Sequence, residues 1–154
     1  TNDRGGAANG HAEEMGHGCL LYDQTVMVPL VVSAAGMAER NVDAQVRLID
    51  IFPTVLELLG VAGVPPVDGQ SLARSVSGAP VQSRVGYSET FYPREQVEAT
   101  GGQHEVTRDK KSVRIDNRWK VIFHLDSDEV EVYDLAADAL ERHNLLDRNG
   151  GTSE

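Results

Sequence analysis

Apolar residues in this chain fall in short runs separated by turn formers, and each run suggests an element. Val26-Met27-Val28-Pro29-Leu30-Val31-Val32 is a nearly continuous apolar, β-branched run, the pattern of a strand covered on both faces. Pro29 has no N–H to give a ladder, so it belongs at an edge or at the start of that strand. Val46-Arg47-Leu48-Ile49 is a second short run leading into Asp50. From there Ile51, Val55, Leu58 and Leu59 recur at helical spacing. Asp50 is a candidate N-cap, Pro53 sits in the first turn where its missing N–H is harmless, and Gly60 stands at the C-cap position. This is the clearest predicted helix. Ala62 to Pro66 breaks it, and Asp68-Gly69 marks a turn.

The second half has a different rhythm. Val85 to Thr90 suggests a strand, and Tyr92 to Arg108 is polar without a period. Ser112-Val113-Arg114-Ile115 and Trp119-Lys120-Val121-Ile122-Phe123 flank Asp116-Asn117-Arg118, a hairpin signal. Asp126 to Glu129 turns the chain into Val130-Glu131-Val132-Tyr133. The tail thus predicts a small antiparallel meander closed by a short helix near Ala136 to Leu140, fraying from Asp147. The first twenty residues are different again: glycine-rich, poor in apolar residues, and loop-like. They suggest a connection whose preceding strand lies upstream.

Composition narrows the partners. The 154 residues can hold one domain or part of a larger one, and 40% are hydrophobic. A formal charge of −10 argues against nucleic acid and against an anionic membrane surface, since both require clustered Lys and Arg. The single cysteine, Cys19, cannot form an internal disulfide. No signal-peptide pattern opens the chain, and Val26 to Ala38 is too short to span a bilayer. Compartment stays open.

The order of the motifs carries more. Gly16-His17-Gly18, Leu21-Tyr22-Asp23 and Val28-Pro29-Leu30-Val31-Val32 resemble the G-H/K-G, Y-E/D and R-V-P-L stretches of sulfatases. Ile49-Asp50-Ile51-Phe52-Pro53-Thr54-Val55-Leu56-Glu57-Leu58-Leu59-Gly60 is similar to the family's D-x-x-P-T-L-L-x-L-x-G helix, and Asp68-Gly69-Gln70-Ser71-Leu72 to its D/Q-G-x-S-L turn. Tyr133-Asp134-Leu135, Asp138, Glu141 and Asn144-Leu145 resemble the Y-D-L-x-x-D-P-x-E-x-x-N-L ending, with Ala139 where the family has proline. Four pieces in family order, over nearly the whole chain, make a specific match.

The resemblance implies an α/β fold: the C-terminal part of an alkaline phosphatase-like α/β domain over residues 1–80, then a small antiparallel sheet with a terminal helix over residues 81–154. It implies sulfate ester hydrolysis, on a small-molecule or carbohydrate ester, by a nucleophile from a C/S-x-P-x-R motif together with a divalent cation, Ca²⁺ or Mg²⁺. No C-x-P-x-R occurs here, so the nucleophile is expected upstream, and this chain alone is expected to be inactive. Asp3 matches the metal-binding aspartate of a D-H/N-G motif, a hard oxygen donor suited to either ion. Arg4 departs from the pattern, because a guanidinium has no lone pair for a metal. Four readings follow: a shell one ligand short, an Arg4 turned away, a degenerate copy, or an Arg4 that takes the ester anion itself.

His17 matches the Lys or His that touches the sulfate oxygens, and its flanking glycines allow close backbone approach. His11 sits where the family often has a histidine, without a transferable role. His104, His124 and His143 lack metal-ligand spacing and are expected at the surface. The acidic turn at Asp126, Asp128 and Glu129 lacks the glycine and terminal glutamate of a calcium loop. Tyr133, Asp138, Glu141 and Asn144 look like caps and turns that fasten the ending. Two alternatives stay open: a phosphodiester or phosphonate ester hydrolase on the same scaffold, and a truncated or degenerate non-catalytic relative.

Overall fold

A computed structural model describes residues 20–33, 36–63, 65–91 and 109–147. The chain divides into two compact units: Thr1–Val28 with Tyr87–Glu154, and Pro29–Gly86. Each stands on its own logic.

The first unit is built on a four-stranded sheet in the order β1-β2-β3-β4, with β1 Gly86–Thr90, β2 Lys110–Ile115, β3 Trp119–His124 and β4 Val130–Asp134. Strands β2 and β3 pair antiparallel, with Lys110 opposite His124 and Ile115 opposite Trp119. Strands β3 and β4 also pair antiparallel, with Trp119 opposite Asp134 and Phe123 opposite Val130. The β2–β3 turn is the predicted one. Asp116 and Asn117 both have positive φ, 50° and 57°, which suits the right-handed twist of a hairpin, and the Arg118 N–H closes it on the Ile115 carbonyl at 3.0 Å. Asx side chains tolerate this region better than most.

Which face of the sheet is buried could not be guessed from hydropathy. In β3 the buried positions are Lys120, Ile122 and His124, while Val121 is half-buried and Trp119 and Phe123 are exposed. In β4 the buried positions are Glu131 and Tyr133; in β2 they are Lys110 and Ser112. The register places Arg114 opposite Lys120, and Ile122 opposite Glu131, on this same polar face. Its apolar core is small: Ile122, Tyr133 and Leu135, with Tyr22 packed against them. Leu20 and Leu21 are also buried, and a single helical turn, α1 (Asp23–Val26), follows them. His124, expected at the surface, is therefore an interior residue, because the two-residue period of β3 carries it to the covered side with Lys120 and Ile122. His143 is exposed beside Asp138, as expected.

The second unit contains a 3₁₀ turn, Leu48–Asp50, running directly into α2 (Ile51–Leu58), and a short α3 (Ala73–Val76). Gly60 has φ +68°, the left-handed conformation that ends a helix at C′. The predicted Val26–Val32 strand does not form. Val26 closes α1, and residues 27–33 lack regular structure, with Met27 65% and Val31 86% exposed. A strand requires neighbours for its N–H and C=O groups, and the strands among the described residues are those of the β1–β4 sheet.

The predicted terminal helix is also absent. Residues 135–137 and 139–140 are turns. Asp134 Oδ1 accepts the Ala136 N–H at 3.1 Å, and Asp138 Oδ2 accepts the Arg142 and His143 N–H groups at 2.7 and 2.8 Å. Such local carboxylate bonds compete with the helical ladder and hold the backbone in turns. Glu141, at φ 53°, continues the irregular path.

Candidate functional site

The two residues on which the sequence places chemistry, Asp3 and His17, lie outside the described residues, as do Arg4, His11, Cys19 and His104. The structure does describe the chain from Leu20 onward, and it shows what the Tyr22-Asp23 motif does.

Tyr22 and Asp23 are fastened to the buried polar face of the sheet by two linked clusters. In the first, Asp23 Oδ1 lies 2.7 Å from Lys120 Nζ, and Asp23 Oδ2 lies 3.0 Å from Arg114 Nε. Lys120 also lies 3.1 Å from Glu141 Oε1, and Glu141 Oε2 accepts the Asp23 N–H at 2.6 Å. Lys120 and Glu141 are almost fully buried, at 0% and 2% exposure. Burial pushes the Glu141 carboxyl above its ordinary range; the neighbouring Lys120 charge opposes that rise without cancelling it.

In the second cluster Glu131 is the hub. Tyr22 and Tyr133 donate their hydroxyls to Oε2 at 2.8 and 2.5 Å, and His124 Nε2 meets Oε1. Burial pushes the Glu131 carboxyl up, but hydrogen bonds from Tyr133, His124 and Tyr22 outweigh it and hold the group below its ordinary value. Both tyrosines are driven upward, first by burial and then by the adjacent carboxylate. They remain protonated donors. The Tyr22 and Tyr133 rings meet edge to face at 6.1 Å, a favourable aromatic geometry.

The second unit explains two further motifs. Asp50 is fully buried. Its carboxylate does not cap α2 as predicted; it turns back to accept the Arg47 N–H at 3.0 Å, the Arg47 guanidinium at 2.9 Å and the Gln70 N–H at 2.8 Å. Burial opposes its charge, yet these donors hold its pKa below the usual range. Thr54 Oγ1 donates to the Asp50 carbonyl at 2.5 Å and accepts the Leu72 N–H at 2.8 Å. The Asp and Thr of the helix motif thus grip the D-G-Q-S-L turn. A Cβ on Gly69 would stand 1.9 Å from the Ile49 carbonyl oxygen, which is why glycine occupies that position.

Among the described residues no group of three His, Cys, Asp or Glu side chains could hold a metal ion, and no helix is long and apolar enough to cross a membrane. The acidic turn at 126–129 connects the antiparallel strands β3 and β4, and Asp126 Oδ2 accepts the Asp109 N–H at 3.4 Å. Sequence reasoning missed Lys120, Arg114 and Glu131. The two-residue period of β3 and β4 separates two faces but does not say which is covered, so no local signal pointed to them.

Comparison with known proteins agrees with the motif order. The family described as "N-sulphoglucosamine sulphohydrolase, C-terminal" matches residues 17–153. Arylsulfatase K of Mus musculus is 35% identical over 80 residues, covering 51% of this chain and 14% of that protein. Arylsulfatase K of Xenopus laevis is 26% identical over 148 residues, 94% of this chain and 27% of that protein. The solved structure of BT4656 in complex with its substrate D-glucosamine-2-N,6-O-disulfate aligns with a TM-score of 0.50 and 26% identity, over 64% of this chain and 19% of that one. The chain thus spans about a quarter or less of the relatives it matches. With the family match covering most of its length, the chain belongs to the sulfatases, and it carries the C-terminal region of their alkaline phosphatase-like fold.

Proposed function

We propose that the intact protein containing this chain hydrolyses a sulfate ester of a carbohydrate, and that this chain supplies part of the site while the nucleophile lies upstream. The observation that carries the reading is the family match over residues 17–153 together with the family-ordered motifs around Asp3 and His17. A sugar substrate is favoured by the disulfated glucosamine bound by the similar protein BT4656. Residues 1–80 are assigned to the C-terminal part of the α/β domain, and residues 81–154 to the small antiparallel subdomain.

In this reading Asp3 is the residue of this chain that would hold a divalent cation, Ca²⁺ or Mg²⁺, through hard carboxylate oxygens. Bound there, the cation would supply positive charge to the ester as negative charge builds on it. His17 contributes a hydrogen bond and, when protonated, a charge to the sulfuryl oxygens, stabilising them as the ester bond breaks. Arg4 favours a second reading, a relative that has lost the metal, because arginine offers the ion no lone pair.

The test is sulfate release from a glucosamine N,6-O-disulfate by the full-length protein, beside His17→Ala and Asp3→Ala. Loss of about 100-fold or more in kcat for each variant is the expected result. Hydrolysis of a phosphodiester in preference to the sulfate would move the assignment to the phosphoryl alternative. Calorimetry with Ca²⁺ and Mg²⁺ decides the second reading: Arg4→His raises metal affinity if position 4 touches the ion, and equal affinity shows that it does not. The 154-residue chain alone is expected to show no turnover.

A further inference from the structure

We infer that Glu131 is the pin of an acid-operated latch: its carboxylate holds Tyr22, and with it the Leu20–Val26 stretch, on the sheet, and a proton taken up by Glu131 releases that stretch while the strands stay paired. The latch stands apart from the proposed reaction and involves described residues alone.

Three observations support it. First, the pin is set among donors. Glu131 is 6% exposed; the Tyr22 and Tyr133 hydroxyls donate to Oε2 at 2.8 and 2.5 Å, and His124 Nε2 meets Oε1. These three bonds fit the anion. A carboxylic acid in the same place would add a fourth donor, and it could keep all its partners only if one of them became an acceptor.

Second, His124 is poorly placed to take that part. Its Nδ1 is buried and has no hydrogen-bond partner among the described residues, so the ring hydrogen belongs on Nε2, facing Glu131. Accepting the acid proton at Nε2 would move the ring hydrogen to Nδ1, leaving an interior N–H with no acceptor. Third, the donors differ in what holds them. Tyr133 shares β4 with Glu131, and His124 is fixed at the end of β3, its N–H bonded to the Glu129 carbonyl at 2.9 Å. Tyr22 comes from a stretch 109 residues away and packs its ring against the Ile122, Tyr133 and Leu135 core. It is therefore the partner that can leave without unpairing a strand.

The other charged groups on this covered side are Asp23 on the held stretch, Asp109, Lys110 and Arg114 at β2, Lys120 on β3, and Glu141. Burial holds the Glu141 carboxyl above its ordinary range, so protonating it favours the folded form, the opposite sign to a latch that acid opens. Burial also opposes the Glu131 charge, yet the bonds from Tyr133, His124 and Tyr22 hold its pKa below the ordinary 4.5. The latch is thus complete above that value and weakens as pH falls through the lowered one.

Hydrogen exchange on the full-length protein tests this from about pH 7 to about pH 3, beside Glu131→Gln and Tyr22→Phe. Protection is read at the β2–β3 ladder and at the Asp23 amide, which donates to Glu141 at 2.6 Å while the stretch lies on the sheet. In the wild type the Asp23 protection factor should fall, below the ordinary Glu131 value, by up to about tenfold per pH unit, the slope of one proton, while the ladder holds. Glu131→Gln imitates the protonated acid; it should lower Asp23 protection by about tenfold or more at neutral pH and leave it level through the acid range. Tyr22→Phe keeps the ring and removes the hydroxyl, so it serves if Glu131→Gln does not fold, and it too should abolish the acid slope. Nitrogen NMR of the imidazole should find the His124 hydrogen on Nε2. Stretch and ladder losing protection together would overturn the latch. So would an acid slope that survives in the variants, which would put the proton on Asp23 or Asp109, or a His124 hydrogen found on Nδ1.

Discussion

The two units bury polar groups by opposite strategies. In Pro29–Gly86 the lock is local: Asp50 grips Arg47 three residues away and Gln70 twenty residues on, and Thr54 reaches Leu72 across eighteen. In the sheet unit the contacts span 91 residues from Arg114 to Asp23, 97 from Lys120 to Asp23 and 118 from Glu141 to Asp23. Both units leave large apolar side chains exposed, Phe123 and Leu145 among them in the sheet unit. The second unit leaves Leu48, Phe52, Val55 and Leu59 exposed, at 68%, 55%, 46% and 71%. An apolar stripe of this kind is what a larger α/β domain covers. A local lock shapes a piece of chain, whereas a long-range ion cluster decides which distant pieces meet.

That contrast can be broken by substitution. Lys120→Met should produce the largest effect, because it leaves Asp23 and Glu141 buried without their shared counter-charge. A loss of about 3–5 kcal/mol is expected in chemical denaturation of the full-length protein. Asp50→Ala should cost less, about 2–3 kcal/mol, since it strands the Gln70 and Arg47 N–H groups but removes a charge whose partner guanidinium reaches solvent. Equal losses, or the reverse order, would erase the distinction between the two locks.

Acid sharpens it further. The folded pKa of Glu131 lies below its ordinary value of 4.5, so its contribution to stability is complete above that value and disappears as pH falls through the depressed one. Glu141 behaves in reverse: its raised pKa favours the fold at pH below 4.5, and that contribution fades as pH rises through the raised value. Glu131→Gln should therefore flatten the acid limb of a stability-versus-pH curve for the sheet unit. A limb as steep as that of the wild type would show that Glu131 is not the group responsible.

How much was readable in the sequence follows the same division. The β2–β3 hairpin was legible because Asp116 and Asn117 supply the left-handed turn themselves, and α2 with Gly60 was legible because its period and C-terminal glycine are adjacent in the chain. The family motifs were legible for the same reason. Val26–Val32 was misread because strand formation depends on neighbours that no local pattern reveals. Residues 136–140 were misread because Asp134 and Asp138 bond the nearby backbone more readily than a helix forms. The burial of Lys120, His124 and Glu141 was beyond local reasoning, since each is decided by a partner in a different strand or at the far end of the chain. Of the candidate site, the sequence named Asp3 and His17; the structure added the clusters that fasten Tyr22 and Asp23.

The claim that most needs testing is that Lys120 and Asp23 act as one unit joining the Leu20–Val26 stretch to the sheet. A double-mutant cycle of Lys120→Met and Asp23→Asn, measured by chemical denaturation of the full-length protein, tests it directly. The predicted result is strong coupling, with the double variant less damaged than the sum of the singles by about 2 kcal/mol or more. Additivity within about 0.5 kcal/mol would contradict the account, because two independent residues would then stand where a buried pair has been placed.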